Sequence, residues 1–180
     1  PYIDSVPSSS EPLRNPRLSY QECADRAAED FRRAADLLPI DWDDTTTGKA
    51  TYGNNQQRIN KIMALGYLGK NYLWAGSPLM NYESQNSRSY NADYCKKAAD
   101  AFAELLNLVE KGQTQYALVD FEHYTDIFYT FKQNSKNPGS TEAIFQTPMY
   151  DWWMGSGWCL GPQYVPSTLA NETNGVVFSP

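Results

Sequence analysis

The segment from Arg58 to Asn81, rich in both apolar and small residues, constrains the fold more than any other part of this sequence. Its apolar residues recur at helical spacing and are Ile62, Leu65, Leu68, Tyr72 and Leu73. Its small residues are Gly66, Gly69, Ala75 and Gly76. Each glycine inside a helix costs about 1 kcal/mol relative to alanine, so close packing of a neighbouring helix should compensate. We therefore predict one long helix that ends at Ser77-Pro78 and belongs to a helix pair.

The composition of the 180 residues excludes two classes of function. The formal net charge of -6 argues against a nucleic-acid-binding protein, because such proteins carry a basic stripe. No run of about 18 apolar residues is present, so no segment is predicted to cross a membrane. The 5 Trp and 13 Tyr leave aromatic rings for the surface, where they can stack on a ligand. The chain begins without an initiator Met or a signal peptide, and we expect it to be a piece of a longer protein.

A first helix is predicted after an extended, Pro- and Ser-rich lead-in over residues 1–18. Ser19 and Glu22 form a capping box, in which each side chain bonds the backbone N–H of the other residue. The helix runs to about Leu38 and is stopped by Pro39. Its apolar stripe comprises Ala24, Ala27, Ala28, Phe31, Ala35 and Leu38.

Another helix is predicted from about Ala92 to Lys111, with Gly112 as its stop. Its buried face comprises Tyr94, Ala98, Ala101, Phe102, Leu105 and Val109. The preceding segment, Asn81–Asn91, is predicted to be a polar loop. Farther along the chain we predict a shorter helix around Asp120–Thr130 and a strand at Glu142–Thr147.

The predicted helices contain the marks of a tetratricopeptide-like repeat, in which a first helix with L-G-x-x-Y pairs with a second helix containing A-x-x-x-F. Leu68–Tyr72 fits the first helix, and Ala98–Phe102 fits the second after an unusually long connection. Ala27–Ala34, followed by Pro39, is a complete second-helix signature. No first helix precedes it, and an unpaired repeat helix leaves an apolar face uncovered. We expect upstream sequence to supply its partner.

The same residues resemble the SusD/RagB family, surface-exposed outer-membrane lipoproteins of Gram-negative bacteria. Arg58–Lys61 (RINK) is similar to the RATK portion of a family segment, and Tyr72–Asn81 (YLWAGSPLMN) to its end. Asp30–Trp42 resembles the family helix that ends in leucines, a proline and a tryptophan. Further landmarks follow in the family order at Tyr116, Leu118, Tyr124, Ile127–Phe128 and Glu142–Phe145. The similarity covers Ser19 to Phe145 and is weak beyond Thr147.

The resemblance implies a SusD-like α-α superhelix: an all-α fold of tetratricopeptide-like helix pairs with long loops and little β-structure. The chain would be a partial domain, with a helical repeat region at 19–130 and a strand with Trp-rich loops at 131–180. The implied function is non-catalytic capture of a glycan, or of a peptide in some members, for a SusC-like TonB-dependent transporter. The implied location is the outer-membrane surface, through a lipid anchor outside this chain, and no cofactor is implied. The alternative is a helical-repeat scaffold that contacts other proteins.

Glycan capture requires aromatic rings that stack on sugars and polar side chains that bond their hydroxyl groups. The candidate ligand-binding residues in the Gly-rich segment after the predicted strand are Tyr150, Trp152, Trp153 and Trp158. The alternative is that some of these tryptophans cap the core. Tyr52 and Tyr82, in polar segments, are secondary candidates. Trp42 and Trp74 match aromatic positions inside the family motifs and are predicted to pack.

Catalytic and metal-binding motifs are not evident. Asp41-x-Asp43-x-Thr45 begins like a calcium loop, but Thr46 and Tyr52 stand at its glycine and glutamate positions, which favours a solvated acidic turn. A glycosidase would need two carboxylates facing across a cleft, and no motif supports that pair.

The remaining reactive side chains also have structural explanations. His123 lies on the predicted short helix without a nucleophile motif. Arg58 and Lys61, at a helix start, are predicted to pair with carboxylates. The odd cysteine count excludes a disulfide framework, although one disulfide involving Cys159 stays open. Cys23 and Cys95 are predicted to be buried thiols in helices.

Overall fold

The computed structural model describes residues 3, 6, 8–10, 16–53, 55, 58–125, 142, 144 and 145. Its four α-helices are α1 (Tyr20–Leu37), α2 (Lys61–Ala75), α3 (Pro78–Gln85) and α4 (Ala92–Glu110). Short 3-10 turns occupy Trp42–Asp44, Gly48–Thr51 and Phe121–His123, and these described residues contain no β-strand. The predicted all-α class is therefore confirmed for this part of the chain. The chain divides into two compact units, Pro1–Ala117 and Leu118–Pro180, and all four helices belong to the first.

Helix α1 begins at the predicted capping box. The Glu22 N–H donates to the Ser19 hydroxyl oxygen at 3.2 Å, and the Ser19 N–H donates to the Glu22 carboxylate at 2.8 Å. Hydrogen bonds from the Ser19 hydroxyl and then from its N–H lower the pKa of Glu22. The helix ends because Leu38, the residue before Pro39, is extended. Of the predicted stripe, Ala24, Ala28 and Ala35 are buried, while Ala27, Phe31 and Leu38 are half-buried.

Helix α2 begins at Lys61, later than the predicted start at Arg58, because Asn60 is extended and caps it. The Met63 N–H donates to the Asn60 side-chain oxygen at 3.0 Å. The Asn60 amide in turn donates to the Tyr116 hydroxyl at 3.0 Å, and Asn60 itself is buried. One side chain thus caps the helix and joins its start to a segment 56 residues farther along the chain.

Contacts along α1 and α2 run in opposite directions, so the two helices are antiparallel. Near the start of α1, the Ala24 carbonyl accepts from the Asn71 amide at 2.8 Å. Toward the end of α1, the Phe31 ring stacks on the ring of Tyr67, with 5.9 Å between centroids. Nearer its start, α2 contributes the largest fully buried side chains of the described residues, those of Ile62 and Leu65.

Helix α4 packs antiparallel against α2 and contacts its small residues. A Cβ atom at Gly69 would lie 2.6 Å from the Phe102 ring, and one at Gly76 would lie 3.0 Å from the Cys95 sulfur. At Gly66 the nearest atom, in Leu105, would be 3.8 Å away. Close helix packing at the glycines is confirmed at Gly69 and Gly76. Helices α2 and α4 form one pair, and a tetratricopeptide-like repeat of such pairs stays a prediction.

The ends and buried face of α4 follow the sequence prediction closely. The Asn91 side chain accepts from the backbone N–H groups of Asp93 and Tyr94 at 3.1 and 3.3 Å. Gly112, with φ of 63°, follows its end. The buried residues are Tyr94, Ala98, Ala101 and Leu105, and Phe102 and Val109 are half-buried.

The prediction of a polar loop directly after Pro78 was wrong, because α3 begins there. The Met80 N–H donates to the Ser77 hydroxyl at 3.4 Å, and Pro78 occupies the first turn. Proline cannot continue α2, but its fixed φ suits the first turn of a new helix, where no N–H is needed. Asn86 directly follows the last residue of α3, and its φ of 58° lies in the left-handed region.

The prediction that Trp74 packs was also wrong, since its side chain is 48% exposed. Leu73, included in the predicted apolar stripe, is 49% exposed. Helical geometry places both on the face of α2 that neither α1 nor α4 covers. Trp42 does pack, and its indole N–H donates to the Ile59 carbonyl at 2.7 Å.

In the second unit, the described residues show less regular structure than predicted. Phe121–His123 forms one 3-10 turn, and the predicted helix beyond residue 125 lies outside the described residues. Glu142, Ile144 and Phe145 are not in a strand, although a strand was predicted there. A strand needs a neighbouring strand for its ladder, and the described residues contain none. The Glu142 carboxylate instead accepts from the Val119 N–H at 3.1 Å.

Substitution of Gly69 by alanine is expected to lower the free energy of unfolding by about 1–3 kcal/mol, because the new methyl group would overlap the Phe102 ring. Urea unfolding followed by circular dichroism measures the change. The matched control, Gly66→Ala, has room for the methyl group and should gain about 0.5–1 kcal/mol from reduced chain entropy. Equal stability of Gly69→Ala and the parent protein would refute close packing at this position.

Candidate ligand-binding surface

A cluster of amide side chains, of which Gln21 and Asn81 are buried, fixes α3 against α1. The Gln21 amide donates to the Asn81 side-chain oxygen and to the Ala75 carbonyl, both at 3.2 Å. The Gln85 amide donates to the Gln21 side-chain oxygen at 2.7 Å. The Asn81 amide donates to the Ser89 carbonyl at 2.8 Å and so connects the loop that follows α3 to this cluster. Because Gln21 and Asn81 are both buried and bonded, the position of α3 is well defined.

The outer side of α3 presents an aromatic ring beside a cation. Tyr82 is 43% exposed, and the guanidinium carbon of Arg88 lies 5.0 Å from its ring centroid. This is a cation–π distance that orients the guanidinium group over the ring. An exposed ring and a hydrogen-bond donor therefore lie close together, and of these two residues only Tyr82 was predicted from the sequence.

Tyr52, the other described candidate, lies on a separate structured segment. It is 73% exposed and follows the 3-10 turn Gly48–Thr51. The buried Asn55 holds this segment together: its amide donates to the Asp43 carboxylate and to the Gly48 carbonyl, the latter at 2.9 Å. Asp43 is thus a bonded structural side chain rather than part of a solvated turn.

Arg58 stacks on an aromatic ring instead of pairing with a carboxylate, so that prediction was wrong. Its guanidinium carbon lies 3.9 Å from the Trp42 ring centroid. It also donates to the Asn55 side-chain oxygen at 3.3 Å. The flat guanidinium group covers the indole face, an arrangement that the sequence spacing did not reveal.

Tyr52 and Tyr82 are not brought together. The segment with Tyr52 lies at the start of α2, where the Lys61 N–H donates to the Pro39 carbonyl, and Tyr82 follows the end of α2. A helix of 15 residues is about 22 Å long, so one sugar ring cannot contact both tyrosines. The other candidates, Tyr150, Trp152, Trp153 and Trp158, lie outside the described residues.

A charged groove runs between α1 and α4 above α2. Two concavities of about 510 and about 220 Å³ share Arg32 and Tyr72 in their lining. Arg32 spans the groove: its guanidinium donates to the Glu104 carboxylate at 2.6 and 3.2 Å and to Asp36 at 2.7 Å. This bidentate geometry ties α1 to α4.

A second polar link between α1 and α4 lies nearer the core. The Tyr94 hydroxyl donates to the Asp25 carboxylate at 2.8 Å, and the Lys97 ammonium lies 4.9 Å from the Tyr94 ring centroid. Burial first, and then the bond to Asp25, raise the pKa of Tyr94. The apolar periodicity of α4 predicted that Tyr94 is buried but not its bond to Asp25, because charged residues on a helix usually indicate a solvated face.

The described part of the chain shows no group of three or more side chains that could hold a metal ion. None of its helices is long and apolar enough to cross a membrane. His123 is exposed, and Cys23 and Cys95 are free thiols that are half-buried rather than fully buried as predicted. Comparison of the chain with protein-family models, curated proteins and solved structures finds no match.

Removal of the Tyr94 hydroxyl should change how stability depends on pH. Because the pKa of Tyr94 is raised above the unfolded value near 10, its contribution is complete below about pH 10 and is lost as the pH rises toward the folded pKa. Tyr94→Phe should cost about 1–2 kcal/mol at neutral pH and make the alkaline decline shallower. Urea unfolding between neutral pH and about pH 11 measures both effects. Tyr90→Phe, at a 70% exposed site, should change neither, and a parallel decline in both variants would contradict the assignment.

Proposed function

We propose that this chain belongs to a non-catalytic cell-surface receptor that captures an oligosaccharide and delivers it to a TonB-dependent outer-membrane transporter. The observation that carries the proposal is the exposed Tyr82 ring beside Arg88 on α3. A sugar ring can stack its apolar face on the tyrosine while the guanidinium group bonds its hydroxyls. The buried amides beneath α3 fix this surface before ligand arrives, which reduces the entropy cost of binding.

The positions that carry the resemblance to SusD-like proteins support the same proposal, because their side chains cap helices and bond neighbouring segments of the scaffold. Asn60 in RINK caps α2 and bonds Tyr116. In the segment that ends LWAGSPLMN, Ser77 caps α3 and Asn81 bonds Gln21. Such roles depend on residue type, so a scaffold shared with the family would keep side chains that can cap a helix or bond a neighbouring segment at these positions.

Under this proposal the segment with Tyr150, Trp152, Trp153 and Trp158 supplies further rings for the glycan. Several stacked rings are needed because each stacking contact contributes only about 0.5–1.5 kcal/mol beyond its buried area. The partners are a glycan and a SusC-like transporter, and attachment to the outer membrane is through a lipid anchor outside this chain. The binding chemistry requires no cofactor.

A second candidate function, a scaffold that contacts another protein, is favoured by the outer face of α2. Leu73 and Trp74 lie there and are 49 and 48% exposed. Neighbouring exposed aromatic and aliphatic side chains are typical of a protein-contact face. The two functions are compatible, since a receptor can hold its ligand on one surface and its transporter on another.

Glycan retention by the full chain and its variants in affinity gel electrophoresis tests the proposal. Tyr82→Ala should weaken binding about 3- to 10-fold, the loss of one stacking contact. Trp152→Ala and Trp158→Ala should weaken it further. Tyr52→Ala is the control, since it removes a ring that is more exposed than Tyr82 and lies near the opposite end of α2, a helix about 22 Å long, and it should leave a short oligosaccharide bound as before.

Three other outcomes would contradict glycan capture at this surface. Equal effects of Tyr82→Ala and Tyr52→Ala would show that glycan binding does not depend specifically on the Tyr82 surface of α3. Co-purification of the transporter without retention of any glycan would favour the scaffold function, and Trp74→Glu should then disrupt that contact. Appearance of new reducing ends would indicate an enzyme.

A further inference from the structure

The cleft between the start of α1 and α3 lies beside the Tyr82 surface. It has a volume of about 760 Å³, within the range of small-molecule binding sites, roughly 300–1,000 Å³. The lining residues are Arg17, Leu18, Ser19, Tyr20, Cys23, Leu79, Met80 and Glu83. Leu79 precedes Tyr82 by one helical turn, and side chains at this spacing are neighbours on a helix surface. A glycan that stacks on Tyr82 can therefore extend into the cleft.

Leu79 has a second neighbour on the surface of α3, because Glu83 follows it by four residues. Leu79 is 61% exposed, and Glu83 is also exposed. Both residues line the cleft, and Met80 adds apolar surface to the same wall. This wall thus presents an aliphatic side chain that is flanked by an aromatic ring, that of Tyr82, and by a carboxylate.

The other wall of the cleft, at the start of α1, supplies a cation. Arg17 lies in the segment before α1, whereas Glu83 belongs to α3. Among the described residues, neither of these two side chains forms an ion pair or a hydrogen bond. A ligand that covers both charges must offer an acceptor to Arg17 and a donor to Glu83, because a covered polar group without a partner is costly.

An N-acyl group on a sugar has the chemistry that these two walls require. The N–H and C=O of a trans amide point to opposite sides, so the amide can donate to Glu83 and accept from Arg17. Its terminal methyl group is apolar and suits Leu79 and Met80. A sugar hydroxyl has no methyl group, and its donor and acceptor are the same atom. An N-acyl group therefore uses the cleft more fully than a hydroxyl does.

We propose that the glycan bound at Tyr82 contains an N-acylated amino sugar, with its pyranose ring on Tyr82 and its acyl group in the cleft between Glu83 and Arg17. This inference rests on the proposed function and narrows its ligand class. A sugar that carries a carboxylate would meet Arg17 but would be repelled by Glu83. A free amino sugar would meet Glu83 but would be repelled by Arg17.

Two trisaccharides with the same β-linked glucose backbone test the proposal, because they differ only in the group at the second carbon of each ring. Triacetylchitotriose carries an acetamido group there, and cellotriose carries a hydroxyl group. Calorimetric titration of the full chain should give a dissociation constant about 10-fold lower for triacetylchitotriose, from the hydrogen bonds to charged groups. In saturation-transfer NMR, the acetyl methyl protons should receive the strongest saturation because they are enclosed by the cleft.

Substitutions in the cleft should remove the preference without removing glycan binding. Leu79→Ala and Glu83→Ala should each weaken binding of triacetylchitotriose about 5- to 10-fold and leave binding of cellotriose unchanged. Leu106→Ala, at a 48% exposed site on α4, is the matched control for Leu79→Ala and should change neither affinity. Tyr82→Ala should weaken both trisaccharides by the same factor, because its ring contacts the pyranose that they share.

Equal affinity for the two trisaccharides, each reduced by Tyr82→Ala, would overturn the N-acyl proposal and leave glycan capture intact. Tighter binding of deacetylated chitotriose than of the acetylated form would also overturn it, because Glu83 would then be binding an ammonium group. Retention of other glycans without any binding of triacetylchitotriose would have the same meaning. If no glycan is retained at all, both this proposal and the proposed function are refuted.

Discussion

The close contact between α2 and α4 at Gly69 is the constraint on which the other helices depend. The Phe102 ring occupies the space where any other residue would carry a Cβ atom. With α4 held at this distance, Leu105 comes over Gly66 and Cys95 comes over Gly76. Helix α2 then packs against both α4 and α1. The cost of glycines within a helix is offset because dispersion contacts strengthen steeply as two helices approach.

Buried amide side chains connect the ends of these helices without charged groups. Asn60 joins the start of α2 to Tyr116, and Asn81 joins the start of α3 to Gln21. An amide can both donate and accept, so one side chain satisfies a helix end and a distant group together. These bonds also order the turn at Ser77-Pro78, which would otherwise be a simple break in the chain. Helices α2 and α3 therefore meet at this turn in a defined orientation.

Local signals in the sequence predicted the three long helices, because periodicity, the Ser19 capping box and Gly112 depend on neighbouring residues. They did not predict α3, since a proline that stops one helix and starts another has the same local pattern as a proline that begins a loop. The bonds of Arg32 to Glu104 and of Tyr94 to Asp25 were also missed, because each joins two different helices. For the same reason the distance between Tyr52 and Tyr82 follows only from the packed structure. The candidate ligand-binding surface is formed by tertiary contacts, and local sequence patterns do not predict such contacts.

Helix α3 has 8 residues, and an isolated helix shorter than about 12 residues is marginal in water. Its stability therefore comes from the bonds of Asn81 and Gln85 with Gln21 rather than from its own backbone. The Tyr82 surface depends on this anchoring. A ligand that binds this surface binds only the docked helix, so it must stabilise the docking of α3 on α1 by mass action. The amide cluster consequently sets the binding competence of the surface, while its exposed side chains set its chemistry.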